Sequence, residues 1–310
     1  MPETRQTRFD VTPDDVPPRG GGLVPHGYTL ESHSHPDGQL VYAATGVIAT
    51  STARGTWVAP FDRLTWTPPG FEHSHRFYGE SDARVLTLPD HLSERLPDNP
   101  GMFAVSRLLR EVLLALTDRT DFAPGAGGRL LAVAVDELSE PAELSLHLPE
   151  PNDDRLATVT RILHEDPAQY TTLAELGRAV GASERTLSRL FHEELQMSFH
   201  RWRTTLRIHH ALFLLTRGRS VTDTAMECGW SNPSGFIDAF TGLIGHTPGR
   251  YQAQLRLVDW SPFRQPTRSV RVLGIRCRDA GLRCHAARSV WIQGRSDRTA
   301  RRPCERRDET

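Results

Sequence analysis

Lysine is missing altogether: the 37 basic side chains of this 310-residue chain are all arginine. Together with the many alanines, that reads as the usage of a GC-rich coding sequence, which bears on origin and not on function. Cysteine is scarce, with four residues: Cys228 stands alone, and Cys277, Cys284 and Cys304 lie near the end. So few, so placed, exclude a disulfide-stapled scaffold and fit a reducing compartment. No stretch approaches the roughly 20 apolar residues needed to span a bilayer. The first fifteen residues, MPETRQTRFDVTPDD, hold no apolar core of the kind a secretory signal needs. A cytoplasmic protein without membrane segments is therefore expected. What the chain does have is enough apolar residue, 38%, to exclude wholesale disorder, and length for about two domains.

A net charge of −1 conceals an uneven distribution. Residues 1–150 carry 12 Arg against 21 acidic groups, residues 151–253 carry 11 of each, and residues 254–310 carry 14 Arg against 6. Texture divides the chain at similar places. Residues 1–22 are rich in Pro and Gly and read as a flexible arm. From Leu23 to Leu88, short Val-, Thr- and Trp-containing runs are broken by turn residues, an all-β signature. Helical periodicity begins at 102–116, where Phe103, Leu108, Leu109, Val112, Leu113 and Leu116 recur, and a second helix is predicted at Gly128–Glu140. The Pro- and acid-containing stretch 146–154 reads as a linker, and 155–253 is helical throughout. The tail 254–310 loses all periodicity and is predicted to be disordered.

The helical half repeats itself. LAELGRAVGASERTLSRLF (173–191) matches VTDTAMECGWSNPSGFIDAF (221–240) at an offset of 48 residues. Each copy has a small inward residue (Gly177, Ala225), a glycine (Gly181, Gly229), a serine (Ser183, Ser231) and a closing aromatic (Phe191, Phe240). The small residue lets helices approach, the glycine supplies a positive-φ turn, and the serine caps the next helix. That is a helix-turn-helix, here in tandem, joined by one long helix over 198–218. Ser183, Ser198 and Ser220 are candidate N-caps, and Gly181, Gly218 and Gly229 fall at helix ends.

Residues 155–253 resemble the DNA-binding domain of the AraC/XylS family of bacterial transcription regulators. The most specific part of the resemblance is Gly229-Trp230, Phe236, Phe240, Gly245, Thr247, Pro248 and Tyr251. The resemblance implies that the helix from Ser183 to Glu194 enters the major groove with Arg185, Thr186, Ser188, Arg189 and His192 outward. Arg201, Arg203 and Arg207 of the connector are assigned to phosphates, since such contacts position a protein without reading sequence. The second recognition helix, about Pro233–Leu243, presents Ser234, Ile237, Asp238 and Thr241. Asp238 repels phosphate, so this motif is expected to dock mainly on backbone and read little sequence.

In the β segment, His33-Ser34-His35, Gln39, Gly46 and Pro68-Pro69-Gly70 with His73 resemble the two motifs of the cupin barrel. The fold class expected is α+β in two domains. These are a cupin-like sensor over 23–145, a β-barrel with a helical appendage, and an all-α tandem helix-turn-helix domain over 155–253. The resemblance places His33, His35, Gln39 and His73 inside the barrel, where three imidazoles and an oxygen donor suit a divalent metal. Gln39 stands where metal-binding cupins have Glu, and Phe77 where they have Asn. Three readings stay open: a bound metal, a metal-free effector pocket, and a structural remnant. Tyr42, Trp57, Trp66, Phe71 and Phe77 are available to wall a cavity or to form plain core. In relatives of this layout the helices after the barrel make a dimer, which nominates Leu109, Val112, Leu113 and Leu116 as the seam, with packing on the barrel as the equal alternative.

The expected function is a cytoplasmic, non-enzymatic transcription regulator controlled by a small molecule or metal. Its partners would be double-stranded promoter DNA, the effector, a second copy of the chain and RNA polymerase. The alternative is a metal-dependent cupin enzyme carrying a DNA-binding domain, which Gln39 disfavours because a catalytic metal wants a carboxylate beside it.

Overall fold

The computed structural model describes residues 19–119, 121–138 and 146–258. Most of the predicted arm (residues 1–18), residues 139–145 and the Arg-rich tail from 259 onward lie outside the described residues. The N-terminal part is an antiparallel sheet of eight strands: β1 (Arg19–Val24), β2 (Thr29–His33), β3 (Gly38–Thr52), β4 (Gly55–Ala59), β5 (Arg63–Thr67), β6 (His73–Leu88), β7 (Gly101–Ala104) and β8 (His147–Pro149). A short helix α1 (Asp90–Ser93) precedes β7, and α2 (Arg107–Asp118) and α3 (Ala126–Glu137) follow it.

Two long strands organise the sheet. β6 alternates buried and less buried residues along its length, the period-two pattern of a strand with one covered face. β3 is buried on both faces for most of its course. The first half of β3 pairs with β5 and the second half with β4, while β6 accompanies it throughout. The result is two five-stranded leaves sharing β3 and β6: β1-β6-β3-β5-β7 and β2-β6-β3-β4-β8. The outer strands of the two leaves do not pair with each other among the described residues, so the sheet is open and not the closed barrel expected from sequence. The strands bend where register slips on either side of Thr45. Gly46 makes the bend feasible: its φ is +80°, and a Cβ there would lie 2.2 Å from Ser81 Oγ and 2.8 Å from Ser81 Cα.

The first leaf is covered by α2 and α3. Leu109, Val112, Leu113 and Leu116 of α2 and Leu131, Ala134 and Val135 of α3 form one apolar cluster with Leu40, Tyr42, Leu64, Trp66, Leu86 and Leu88. This corrects the proposed dimer seam: all four α2 residues are at most 4% exposed within a single chain. The outward apolar residue of that helix is Leu108, 54% exposed. Boundaries also move, and residues 254–258, assigned to the tail, instead close the last helix of the chain's described part. Arg19–Gly22, assigned to the arm, already belong to β1, and the linker contains β8.

The C-terminal part is built of α4 (Asp154–Glu165), α5 (Leu173–Ala179), α6 (Glu184–Leu195), α7 (Phe199–Thr216), α8 (Val221–Glu227), α9 (Pro233–Ile244) and α10 (Pro248–Val258). The predicted serine caps are all made: Ser183, Ser198 and Ser220 accept from the amides of Thr186, Arg201 and Asp223. In the second copy the cap is Asn232 rather than Ser231, with Pro233 at the first helical position, which has no N–H to leave unpaired. Gly181, Gly218 and Gly229 all have positive φ. Helix α7 contributes to two cores. Trp202 and Leu206 join α4, α5 and α6, whereas Ile208, Ala211, Leu212, Leu214 and Leu215 join α8, α9 and α10.

The second of these cores does not stop at the helices. Val47, Ala49, Trp57, Val58, Ala59 and Met102 of the sheet, and Phe61 of the turn between β4 and β5, belong to it. Phe61 packs on Tyr251 at 5.1 Å between ring centroids, His26 stacks on Phe213 at 5.1 Å, and His246 Nε2 lies 2.8 Å from Asp62 Oδ2. His209 Nε2–H donates to the Leu146 carbonyl at 3.0 Å, and burial drives its imidazole down to about 3.

Two outcomes are expected. Leu113→Ala lowers unfolding stability by about 2–5 kcal/mol in chemical denaturation, the cost of a core cavity, and leaves the sedimentation of the folded protein unchanged. For His209 the folded state holds a neutral ring while the unfolded chain protonates near 6.5. Stability therefore falls as pH drops from about 6.5 towards 3, and His209→Asn flattens that slope by up to about one proton in denaturation midpoints measured across the range.

Candidate functional site

The first recognition helix shows its sequence-predicted face. Leu187, Leu190 and Phe191 are buried, Arg185, Arg189 and His192 are exposed, and Thr186 and Ser188 are half-buried between them. Thr186 Oγ1 lies 2.8 Å from the capping Ser183 Oγ. Arg189 pairs with Glu193 one turn on at 3.0 Å, with both side chains more than half exposed. An exposed i,i+4 pair of this kind contributes only about 0.3–0.5 kcal/mol and yields readily to a better partner. His192 donates from Nδ1 to the Ser188 carbonyl at 3.1 Å, in the tautomer that leaves Nε2 to accept.

The second recognition helix is less free. Ser234 and Asp238 are exposed. Ile237 is half-buried against the helical core, and Thr241 donates its hydroxyl to the Ile237 carbonyl at 2.7 Å. On α7 the three arginines assigned to phosphates differ. Arg201 is exposed. Arg203 donates to the carbonyls of Thr171 (3.0 Å) and Gln169, and Arg207 to those of Pro167 (2.9 Å), Ala168 and Gln169 (3.3 Å each). Both are half-buried, and burial lowers the affinity of each guanidinium for its proton. These two side chains hold protein backbone here, a role that spacing along a helix face does not reveal.

In the sheet, the edge of the second leaf brings four imidazoles together. His33 ends β2, and His73 and His75 are two apart at the start of β6, so they share a face. Ring centroids lie 4.4 Å apart for His33–His73, 4.9 Å for His35–His73 and 5.0 Å for His73–His75. Three of the rings spend Nδ1–H on backbone: His33 on Glu31 at 2.8 Å, His73 on Phe71 at 2.9 Å, and His35 on Asp37. That fixes the tautomer and leaves each Nε2 with a lone pair, the arrangement of a metal-ligating imidazole. The Nε2 atoms of His35 and His73 are buried with no partner among the described residues. One ligand atom each from His33, His35 and His73 lies within 4.8 Å of the others. Burial, first, and the neighbouring His33 and His35 hold His73 down at about 4, so it is neutral at physiological pH.

Gln39 and His75 form a separate arrangement. His75 Nε2 lies 3.3 Å from Gln39 Oε1, and its Nδ1 lies 3.0 Å from Thr50 Oγ1, which is 3.1 Å from Thr65 Oγ1. With His75 donating from Nε2, the amide oxygen of Gln39 is committed to a neighbour. The period of β6, already begun at His73, puts His75 inside as well. Of the aromatics, Tyr42, Trp57, Trp66 and Phe77 are core, with Trp66 Nε1 donating to the Pro97 carbonyl at 2.8 Å, and Phe71 is half-buried.

Comparison with known proteins agrees with the helical geometry. A helix-turn-helix domain family matches residues 176–254. The HTH-type transcriptional regulator NimR of Escherichia coli is 31% identical over 232 residues, covering 74% of this chain and 85% of NimR. An uncharacterized HTH-type transcriptional regulator of Staphylococcus aureus is 36% identical over 102 residues, 33% of this chain and 14% of that protein. The crystal structure of a DNA-binding transcriptional dual regulator from Escherichia coli is 27% identical, covers 34% of this chain and 96% of its own, and has a TM-score of 0.32. No described helix is long and apolar enough to cross a membrane. With two capped helix-turn-helix units, the family match over them and a homologous regulator along most of its length, the chain belongs to the AraC family of DNA-binding transcription regulators.

Proposed function

We propose that α6 is the helix that reads the operator, and that the histidine-lined end of the sheet is where the effector acts. The observation that carries the first part is the outward face of α6. Arg185, Thr186, Ser188, Arg189 and His192 stand on a helix whose other side is fully anchored, and the only ion pair on that face among the described residues is weak and exposed. An arginine can grip a guanine edge with two hydrogen bonds, worth about 1–3 kcal/mol of discrimination. Arg201 meets phosphate. The second motif, with Ser234 and Asp238 outward and Ile237 and Thr241 engaged, supports backbone docking with little base readout. The acidic sensor half keeps clear of the phosphates. We place the protein in the cytoplasm as a homodimer that meets RNA polymerase at promoters, and as a regulator rather than an enzyme.

For the sensor, the cupin-like reading keeps its support in the two leaves that share bent strands and in the convergence of His33, His35 and His73 at the edge of one of them. The donor set fits a divalent metal of the Zn, Fe, Ni or Mn group through these three imidazoles, because two of their Nε2 atoms are buried without a partner. Gln39 is left out of this ligand set because its amide oxygen faces His75 Nε2 at 3.3 Å. A bound metal would supply an electrophilic centre able to take a further donor from an effector. The signal has a short path to DNA, since the second leaf and the second helix-turn-helix share one core. An effector that favours one packing of that core shifts the population of DNA-competent protein.

Titration of operator duplexes tests the reading face. Arg189→Ala is expected to lower affinity for the matched site about 10- to 100-fold and for scrambled DNA hardly at all, while Arg201→Ala weakens both in parallel and reduces the salt slope by about one. Parallel losses in both variants refute the assignment to α6. For the sensor, calorimetric titration of metal-stripped protein with Zn²⁺ or Ni²⁺ should show one site, abolished by His73→Ala and changed less than about threefold by Gln39→Ala. Loss of binding in the Gln39 variant would return that residue to the ligand set, and no binding in the wild type would refute the metal site.

A further inference from the structure

Arg207 lies between the two helix-turn-helix units. Its Nε and Nη2 hold the carbonyls of Pro167, Ala168 and Gln169, in the segment that enters the first unit from α4. Its guanidinium carbon lies 5.6 Å from the ring centroid of Trp230, in the turn of the second unit, and 5.9 Å from that of Tyr170. The two units also touch directly behind it. At Gly229, whose φ is +78°, a Cβ would lie 2.5 Å from the Ala168 carbonyl oxygen and 2.9 Å from Arg207 Nη2. Arg203, one turn earlier, secures the next carbonyls of the same segment. One planar cation thus binds the backbone of one unit and the aromatic ring of the other, at the point where only glycine fits.

We propose that Arg207 is a positioning residue that sets the geometry of α6 relative to α9, so that both helices engage one duplex at a fixed separation. This rests on the reading of α6 and α9 as the two DNA-facing helices. Two helices on a single duplex reach successive major grooves only when their separation matches about one helical turn, roughly 34–36 Å. Contact between the units at Arg207 narrows the allowed separations, so the second helix binds with its ordering cost already met. A lysine retains the charge and loses both the fork and the flat face that rests on Trp230.

The test uses full-length protein and a duplex selected by the wild type from random DNA, in a long form covering both helices and a short form covering only the α6 window. The wild type is expected to bind the long form at least tenfold more tightly. Arg207→Gln and Arg207→Lys should both bind the short form within about twofold of wild type and lose most of the long-form advantage. Trp230→Leu, which leaves the carbonyl contacts in place, should lose part of it. If lysine restores the advantage, Arg207 is a phosphate contact and the proposal falls. It falls equally if the variants keep the advantage, or if folded variants lose both forms in parallel. A wild type with no long-form advantage would instead overturn the two-helix reading beneath it.

Discussion

The structure depends on one helix having to satisfy two cores. Its early residues Trp202 and Leu206 are buried with the first helix-turn-helix, and the residues from Ile208 to Leu215 with the second. An α-helix repeats every 3.6 residues, so an eighteen-residue helix can turn one apolar stripe to one lobe and the continuation of that stripe to the next only if its middle is anchored. The anchors are polar. Arg203 and Arg207 stand where the stripe changes partner and take backbone carbonyls that would otherwise need water. The pair of reading units is therefore held by burial at its ends and by charge-assisted hydrogen bonds at its waist.

The sheet is bent by a comparable economy. Strands β3 and β6 each serve two leaves, and the crossing is tight enough that Gly46 meets Ser81 with no room for a methyl group. That bend turns one face towards α2 and α3 and the other towards α7 and α10. The histidines sit at the end of the second leaf, beside strands whose outer face already belongs to the helical core. The histidine cluster and the sheet's share of the helical core thus lie on neighbouring strands of one leaf.

Local chemistry was legible in the sequence. The serine caps, the positive-φ glycines and the repeat with Gly177 and Ala225 inward depend on neighbours a few residues away, and each has a direct physical signature. The His33, His35 and His73 grouping was legible through motif resemblance and strand period. What stayed hidden depends on partners far along the chain. Nothing near Arg207 announces a loop forty residues earlier, and nothing near Leu113 tells its own sheet from a second chain. The Gln39–His75 contact stayed hidden too, its two residues lying 36 apart on different strands. Asn232 displaced Ser231 as a cap because Pro233 fixes where the helix starts, a cue that was present and outweighed by the repeat.

The apolar face shared by the second leaf and the second helix-turn-helix also bears on how such a protein can change over generations. A sensor grafted onto this reader at the linker alone would leave Phe61, Trp57 and Val47 without the helices that cover them, and Tyr251 and Phe213 facing water. Substitution around the histidines, by contrast, leaves that shared apolar face intact. A new sensor on this reader must therefore bring its own apolar cover for that face.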